Sequence, residues 1–460
     1  MATVALSFDS WKSGQVVAGR FAIQIVAPRT PLKLQPVSPR LKGELIHPNR
    51  TAFLLGVRYS SDGQRLIAGD YPGGVVVLWD IASGKQLTTI ETGYGYRGSD
   101  QYFFLSPDWR TLFVSRDGRT IERIEKNGKR MYRWQFDGKV LAWDMGSGKL
   151  IRSYRHVPAR NVNSMRMAPN GALFVTSEQI PGVYESRPPS TASLWETATG
   201  KSKALPEGTK AYGIFASDSR LYATTVSDSK SGDTKAIQML DLPAGTPKWS
   251  LPVKPPGAWV SPVAFSPDSR LLVVNERIFR DPKTRSDESS RLMLLDAATG
   301  REVSELGRET GATFDGVSFG VDGRMLAAVT WRPPHNDRKP AASKLYLFSV
   351  SDKHARRVIV LETEQAGHRH VVRAPAISPD GKWVAVTTQM MPDERGIELD
   401  ALDVSQARIH LVDADAGVIR ETLIAPQGFI SRGSFSPDGK TLATGGLGRV
   451  LLWDLGAARK

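Results

Sequence analysis

The chain has 460 residues, 40% of them hydrophobic and 23% charged, with 16 Phe, 11 Trp and 11 Tyr. That balance excludes a disordered chain and implies a sizeable core. There is no cysteine, which excludes disulfides, thiolate catalysis and cysteine-held zinc, and the net charge is +14. No apolar run is long enough to span a bilayer, and QVVAGRFAIQIVAP, broken by Arg20, lacks a signal-cleavage pattern. The expectation is a soluble, cytoplasmic protein without a cofactor.

Residues 1–40 form a basic N-terminal extension. TVALSF, QVVAG and AIQIVA have strand character, and PRTPLKLQPVSPR reads as a Pro-containing, extended connector. Residues 1–50 and 116–140 together carry +9 of the net charge. Such an excess serves either a solvated surface or attraction to an acidic partner.

From LKGELIHPN onward the chain repeats. A turn related to Ser-Pro-Asp-Gly starts at Ser60, Ser106, Ala168, Ala216, Ser266, Gly320, Ser378 and Ser436. Each turn leads into a short apolar run, as in RLIAG, TLFVS and KWVAV, whose β-branched and aromatic residues suit strands. Pro presets φ, Asp bonds back to its own backbone and Gly accepts positive φ, so the motif reverses the chain.

A second apolar run follows in every unit and closes at Asp80, Asp144, Glu196, Asp241, Asp296, Ser349, Asp413 and Asp454. Turns such as ASGK, GSGK and ATGR then introduce a fourth strand in most units, for example QLTTIE and LIRSYR. Four antiparallel strands repeated at this period describe the blades of a propeller.

The closing pairs Trp79-Asp80, Trp143-Asp144 and Trp453-Asp454, with Trp195-Glu196 as a near match, resemble the WD40 repeat in its Ser-Pro-Asp-Gly variety. The resemblance covers residues 41–460. Gly367-His368 matches the Gly-His that precedes the first strand in that family, with His47 and His156 similarly placed.

The resemblance implies an all-β, closed β-propeller. The last unit has three strands and then only LGAARK, whereas LKGELIHPN is an unassigned strand ahead of the first unit. Residues 42–47 are therefore expected to complete the blade of residues 430–454 and bring the count to eight four-stranded blades, leaving no sheet edge exposed. Trp79, Trp143, Trp195 and Trp453 are expected to be buried between blades.

Three motifs touch on chemistry. Gly316-Val317-Ser318-Phe319-Gly320 matches a nucleophile elbow, yet it lies where the other units have a first strand. His368-Arg369-His370 places two imidazoles on one side of an extended chain but lacks a third ligand for a metal. Asp413-Ala414-Asp415-Ala416-Gly417 echoes a calcium loop and reads more simply as a closing aspartate with its turn.

Six consecutive units carry long connections between second and third strands, whereas the turns on the opposite face are short. Insertions repeated on one face of an array mark a binding side, or drift in tolerant loops. The most structured is RTIERIEKNGKRMYRWQFDGK, in which Asn127-Gly128 signals a hairpin. Its Arg123, Lys126, Lys129, Arg130, Tyr132 and Arg133 are candidate partner-binding residues, because Arg and aromatics together suit interfaces and nucleic-acid stacking surfaces.

The resemblance implies a non-enzymatic scaffold that binds a protein or peptide on the long-loop face, with no membrane involved. Two alternatives stay open: a propeller hydrolase or lyase with a site in the central channel, and a nucleic-acid binder acting through the 121–136 hairpin.

Overall fold

The structure is a computed structural model. It describes residues 3–12, 15–24, 37–71, 73–92, 103–116, 119–126, 129–156, 159–184, 190–228, 233–254, 258–281, 286–331, 342–352, 354–363, 368–392, 407–426 and 428–456. Two compact units are present, Met1–Pro36 and Val37–Lys460. In the first, Thr3–Lys12 and Gln15–Gln24 pair antiparallel over their full length. Two long strands thus stand where the sequence suggested three short ones.

Among the described residues the second unit contains, in chain order, eight sheets of four or more strands, and one smaller three-stranded sheet. The first comprises Phe53–Tyr59, Arg65–Tyr71, Val75–Asp80 and Gln86–Glu91, each strand pairing with the next. Five more sheets follow the same four-strand order across residues 103–154, 161–204, 214–252, 259–310 and 313–363. In the seventh the innermost strand is split, so that His368–Val372 and Ala376–Ile377 both pair with Trp383–Pro392. Among the described residues no helix is long and apolar enough to cross a membrane.

The eighth sheet draws three strands from the end of the chain, Ser434–Phe435, Thr441–Gly445 and Arg449–Asp454. Its fourth is Leu41–Ile46, with Leu41 opposite Trp453 and Ile46 opposite Arg449. Glu44 adds an ion pair with Arg449 at 2.7 Å, and Arg40 pairs with Glu421 at 2.6 Å. This sheet also bonds to the first one, through Leu54 N to Gly446 O (3.0 Å) and Gly448 N to Ala52 O (2.7 Å).

The repeated turns explain why the units look alike. In all eight, the third residue's side chain accepts a hydrogen bond from the backbone N–H two residues on, at 3.0–3.1 Å. In all eight the fourth residue has φ between 60° and 72°. Glycine takes that conformation freely, and Trp109, Ser219 and Ser269 adopt it where glycine is missing. Where the turn opens with serine, as at Ser106, its hydroxyl donates to Asp108 at 2.5 Å and accepts from Thr111 N at 2.9 Å.

Packing between sheets supplies the core. Val76, Leu78 and Ile90 of the first sheet meet Phe103, Leu112 and Val114 of the second, and each later junction has its own apolar cluster. Trp79, Trp195 and Trp453 are buried, as expected. Trp143 departs from that expectation and is only half-buried.

The tryptophans also differ in their indole hydrogen bonds, although Trp79, with Ala68 at the matching position, is fully buried without one. Trp195 Nε1 donates to Thr176 Oγ1 at 2.8 Å, and Trp453 Nε1 donates to Thr444 Oγ1 at 2.9 Å. The second sheet has Val114 at the matching position, two residues beyond the tryptophan's cross-strand partner, so no hydroxyl anchors the Trp143 indole.

The carboxylates after these tryptophans cap the outer turns. Asp80 Oδ1 accepts from Ser83 N at 2.8 Å, and Asp144 Oδ1 accepts from Ser147 N at 2.7 Å. Glu196 accepts from Thr199 Oγ1 at 2.8 Å. Asp413 accepts from Ala416 N at 2.8 Å and pairs with Arg420 at 3.0 Å, which makes it a capping residue of the same kind.

Candidate functional site

The long connections share a face, and two of them build an additional sheet there. Arg119–Lys126 and Lys129–Phe136 pair as the expected hairpin, with Arg123 opposite Tyr132 and Glu122 opposite Arg133. Its turn, Asn127-Gly128, lies outside the described residues. A third strand, Gly182–Tyr184 from the third sheet's long connection, pairs with it through Tyr132–Tyr184 and Trp134–Gly182. The hairpin is thereby tied to its neighbour.

Strand alternation divides the six candidate residues. Paired residues project to the same side and successive ones to opposite sides. Arg123, Arg130 and Tyr132 therefore share one side with Trp134, which is buried together with Phe136. Arg133 belongs to the other side, where it is ion-paired to Glu122 at 2.6 Å, and the side chains of Lys126 and Lys129 lie outside the described residues. Arg123 and Arg130 thus lie on the opposite side of the hairpin from Arg133.

Other long connections are shorter than the sequence suggests, because their strands run on. Leu271–Asp281 and Ser286–Asp296 leave only 282–285 between them, and Leu221–Ser227 and Thr234–Asp241 leave 228–233. Between the third, fourth and fifth sheets this face holds a cleft of about 390 Å³ whose lining includes Lys210, Tyr212, Asp233, Trp259 and Pro262. Tyr212 is 60% exposed and Trp259 is 46% exposed. Arg277, cross-strand from Trp259, stacks its guanidinium 5.4 Å from that ring. The sequence reading missed both aromatics. The available signal was their place just ahead of or within a first strand, on the side of the long connections.

Two buried polar clusters lie between strands. Glu178 is fully buried and accepts from Thr176 and from Ser193 Oγ at 2.9 Å, with His156 Nε2 at 2.6 Å and Arg160 at 3.3 Å. His156 also packs edge-on against Trp195 at 4.6 Å. The cluster therefore links the tryptophan to the connection ahead of the third sheet.

Glu362 is held similarly by Arg408 at 2.9 Å and His410 at 3.3 Å, and His410 also bonds Thr388 and Thr422. Burial alone would raise the Glu362 carboxyl, but the bonds from His410 and Arg408 outweigh it and bring its pKa down to about 2.

The nucleophile-elbow match is structural. Gly316 has φ +59°, and a Cβ there would come within 2.4 Å of Ala374 Cα. Ser318 Oγ donates to Pro375 O at 2.8 Å and accepts from Arg432 at 2.8 Å. The strand His368–Val372 is extended, and the side chains of His368 and His370 lie outside the described residues.

Successive four-stranded sheets whose last member includes a strand from the start of the unit define a β-propeller. Residues 418–454 match the family model described as WD domain, G-beta repeat. That span runs from the outer strand of the seventh sheet through the three chain-terminal strands of the eighth.

Two solved structures are similar over most of the chain. The C-terminal WD40 domain of Sif2 is 13% identical, with 90% of this chain and 97% of that one covered and a TM-score of 0.53. The β-propeller domain of Cps50 (Swd1) from Myceliophteria thermophila is 14% identical, with 90% and 99% covered and a TM-score of 0.47. No curated protein matches the sequence. The protein carries a WD40 repeat and has the fold of a WD40 β-propeller.

Proposed function

We propose that this protein is a non-enzymatic scaffold that binds a protein or peptide on the face carrying the long connections. The observation that supports this reading is the cleft between the third, fourth and fifth sheets, where Tyr212 and Trp259 stand exposed above a rigid β framework. Large aromatics in a concave site are the usual anchors of protein interfaces. Lys210 and Asp233 in the same lining suit a peptide backbone and mixed polar flanks around one apolar or aromatic side chain. The placing of Arg133 on the opposite side of the hairpin from Arg123 and Arg130 favours this reading over a continuous nucleic-acid stripe.

Selection of a random peptide library on the full chain, followed by affinity measurement, tests the proposal. Selected peptides should share an apolar or aromatic anchor and bind Tyr212→Ala and Trp259→Ala at least tenfold more weakly. Peptides that bind both variants as well as the native protein would move the site elsewhere.

A further inference from the structure

A second cavity, of about 530 Å³, is lined by inner strands of the first, sixth, seventh and eighth sheets. Shared lining from the first and sixth sheets places it on the ring axis. Arg58, Ser318, Ser431, Arg432 and Ser434 supply its polar side chains, and no carboxylate lies among its described lining residues. The same bias runs along the repeat. Of the eight residues two places ahead of the short turns, none is acidic, and two are the arginines Arg58 and Arg166.

The two lining arginines are held differently. Arg432 is anchored across the sheet junctions, donating to Ser318 Oγ at 2.8 Å and to Pro375 O at 3.2 Å. Arg58 has no hydrogen bond or ion pair among the described residues, and its side chain is open to the cavity. Crowding by the surrounding strands, and then the Arg432 charge, lower its pKa below the usual arginine value. Two cations facing one cavity without an acid among its described lining residues repel each other, and a bound anion relieves that cost.

We infer that the axial cavity is a binding site for a small molecule carrying more than one phosphate group, held by Arg58 and Arg432. Guanidinium forks match phosphate oxygens in pairs, which favours phosphate over a spherical anion. The cavity volume lies in the range of small-ligand pockets and exceeds the needs of a single phosphate. This site is separate from the peptide cleft, so either reading can fail without the other.

The test uses the full chain with inorganic tripolyphosphate as probe, followed by calorimetric titration and thermal melting, with citrate as the carboxylate comparison. The native protein should bind tripolyphosphate saturably at a 1:1 ratio and melt at higher temperature with it, and should bind citrate at least tenfold more weakly. Arg58→Ala should weaken tripolyphosphate binding at least tenfold, Arg58→Lys should weaken it less, and neither should melt below the native protein without the anion. Arg270→Ala with Arg324→Ala, which removes two exposed turn cations, should leave affinity within twofold. Absence of saturable binding would overturn the inference. Equal affinity in Arg58→Ala, or loss of binding in the turn variant, would do the same.

Discussion

Replacing Trp453 separates the two ways in which a closing tryptophan holds its sheet. The indole is fully buried in a cluster with Ile409, Leu423, Ile430, Leu442 and Leu451, and its N–H reaches Thr444 Oγ1 at 2.9 Å. Trp453→Ala empties that site between the seventh and eighth sheets and should cost about 3–5 kcal/mol. Trp453→Phe keeps most of the ring but leaves Thr444 without its donor, for a loss of about 1–2 kcal/mol.

Trp143→Ala is the internal comparison. Its ring is half-buried and lacks the threonine, so the loss should be about 1–3 kcal/mol, clearly below that of Trp453→Ala. Urea unfolding followed by both tryptophan fluorescence and far-ultraviolet dichroism measures all three, and coincident transitions license the comparison. A Trp453→Ala loss below about 1 kcal/mol, or a Trp143→Ala loss equal to it, would refute the reasoning from burial and anchoring.

Three further outcomes are expected. Deleting residues 1–48 removes Leu41–Ile46, the partner of Arg449–Asp454, and should lower the melting temperature of the second unit well below that of a chain lacking only 1–36; equal melting would refute a stabilising role for this pairing. Because the folded Glu362 carboxyl sits at about 2 against an ordinary 4.5, its contribution is complete above pH 4.5 and disappears as pH falls through about 2. The melting advantage over Glu362→Gln should therefore shrink across that window, and a constant difference would contradict the linkage. Replacing Arg123, Lys129 and Arg130 together with Ala should leave thermal stability nearly unchanged, since exposed charges such as Arg123 and Arg130 add little to folding, while weakening capture of an acidic partner and flattening its salt dependence. Unchanged capture would exclude the hairpin as that partner's site.

The legible part of this protein is what depends on neighbours in sequence. A turn of four residues carries its own instructions: the Asp108 side chain bonds two residues ahead, and the fourth position tolerates positive φ, so all eight turns could be read directly. Trp453-Asp454 and the nearly absent strand after it also indicated that Leu41–Ile46 belongs beside Arg449–Asp454, because an unpaired edge leaves backbone groups unsatisfied.

What only the tertiary structure decided are relations between units. The half-burial of Trp143 is a property of the packed sheets, and the hairpin's anchoring follows from Gly182–Tyr184, a strand supplied by the third sheet's long connection. Tyr212 and Trp259 share a cleft, and Arg58 and Arg432 share a cavity, only after the sheets have packed side by side. Local propensity fixes where each strand turns, whereas the faces that meet are set by packing, which draws on residues hundreds of positions apart.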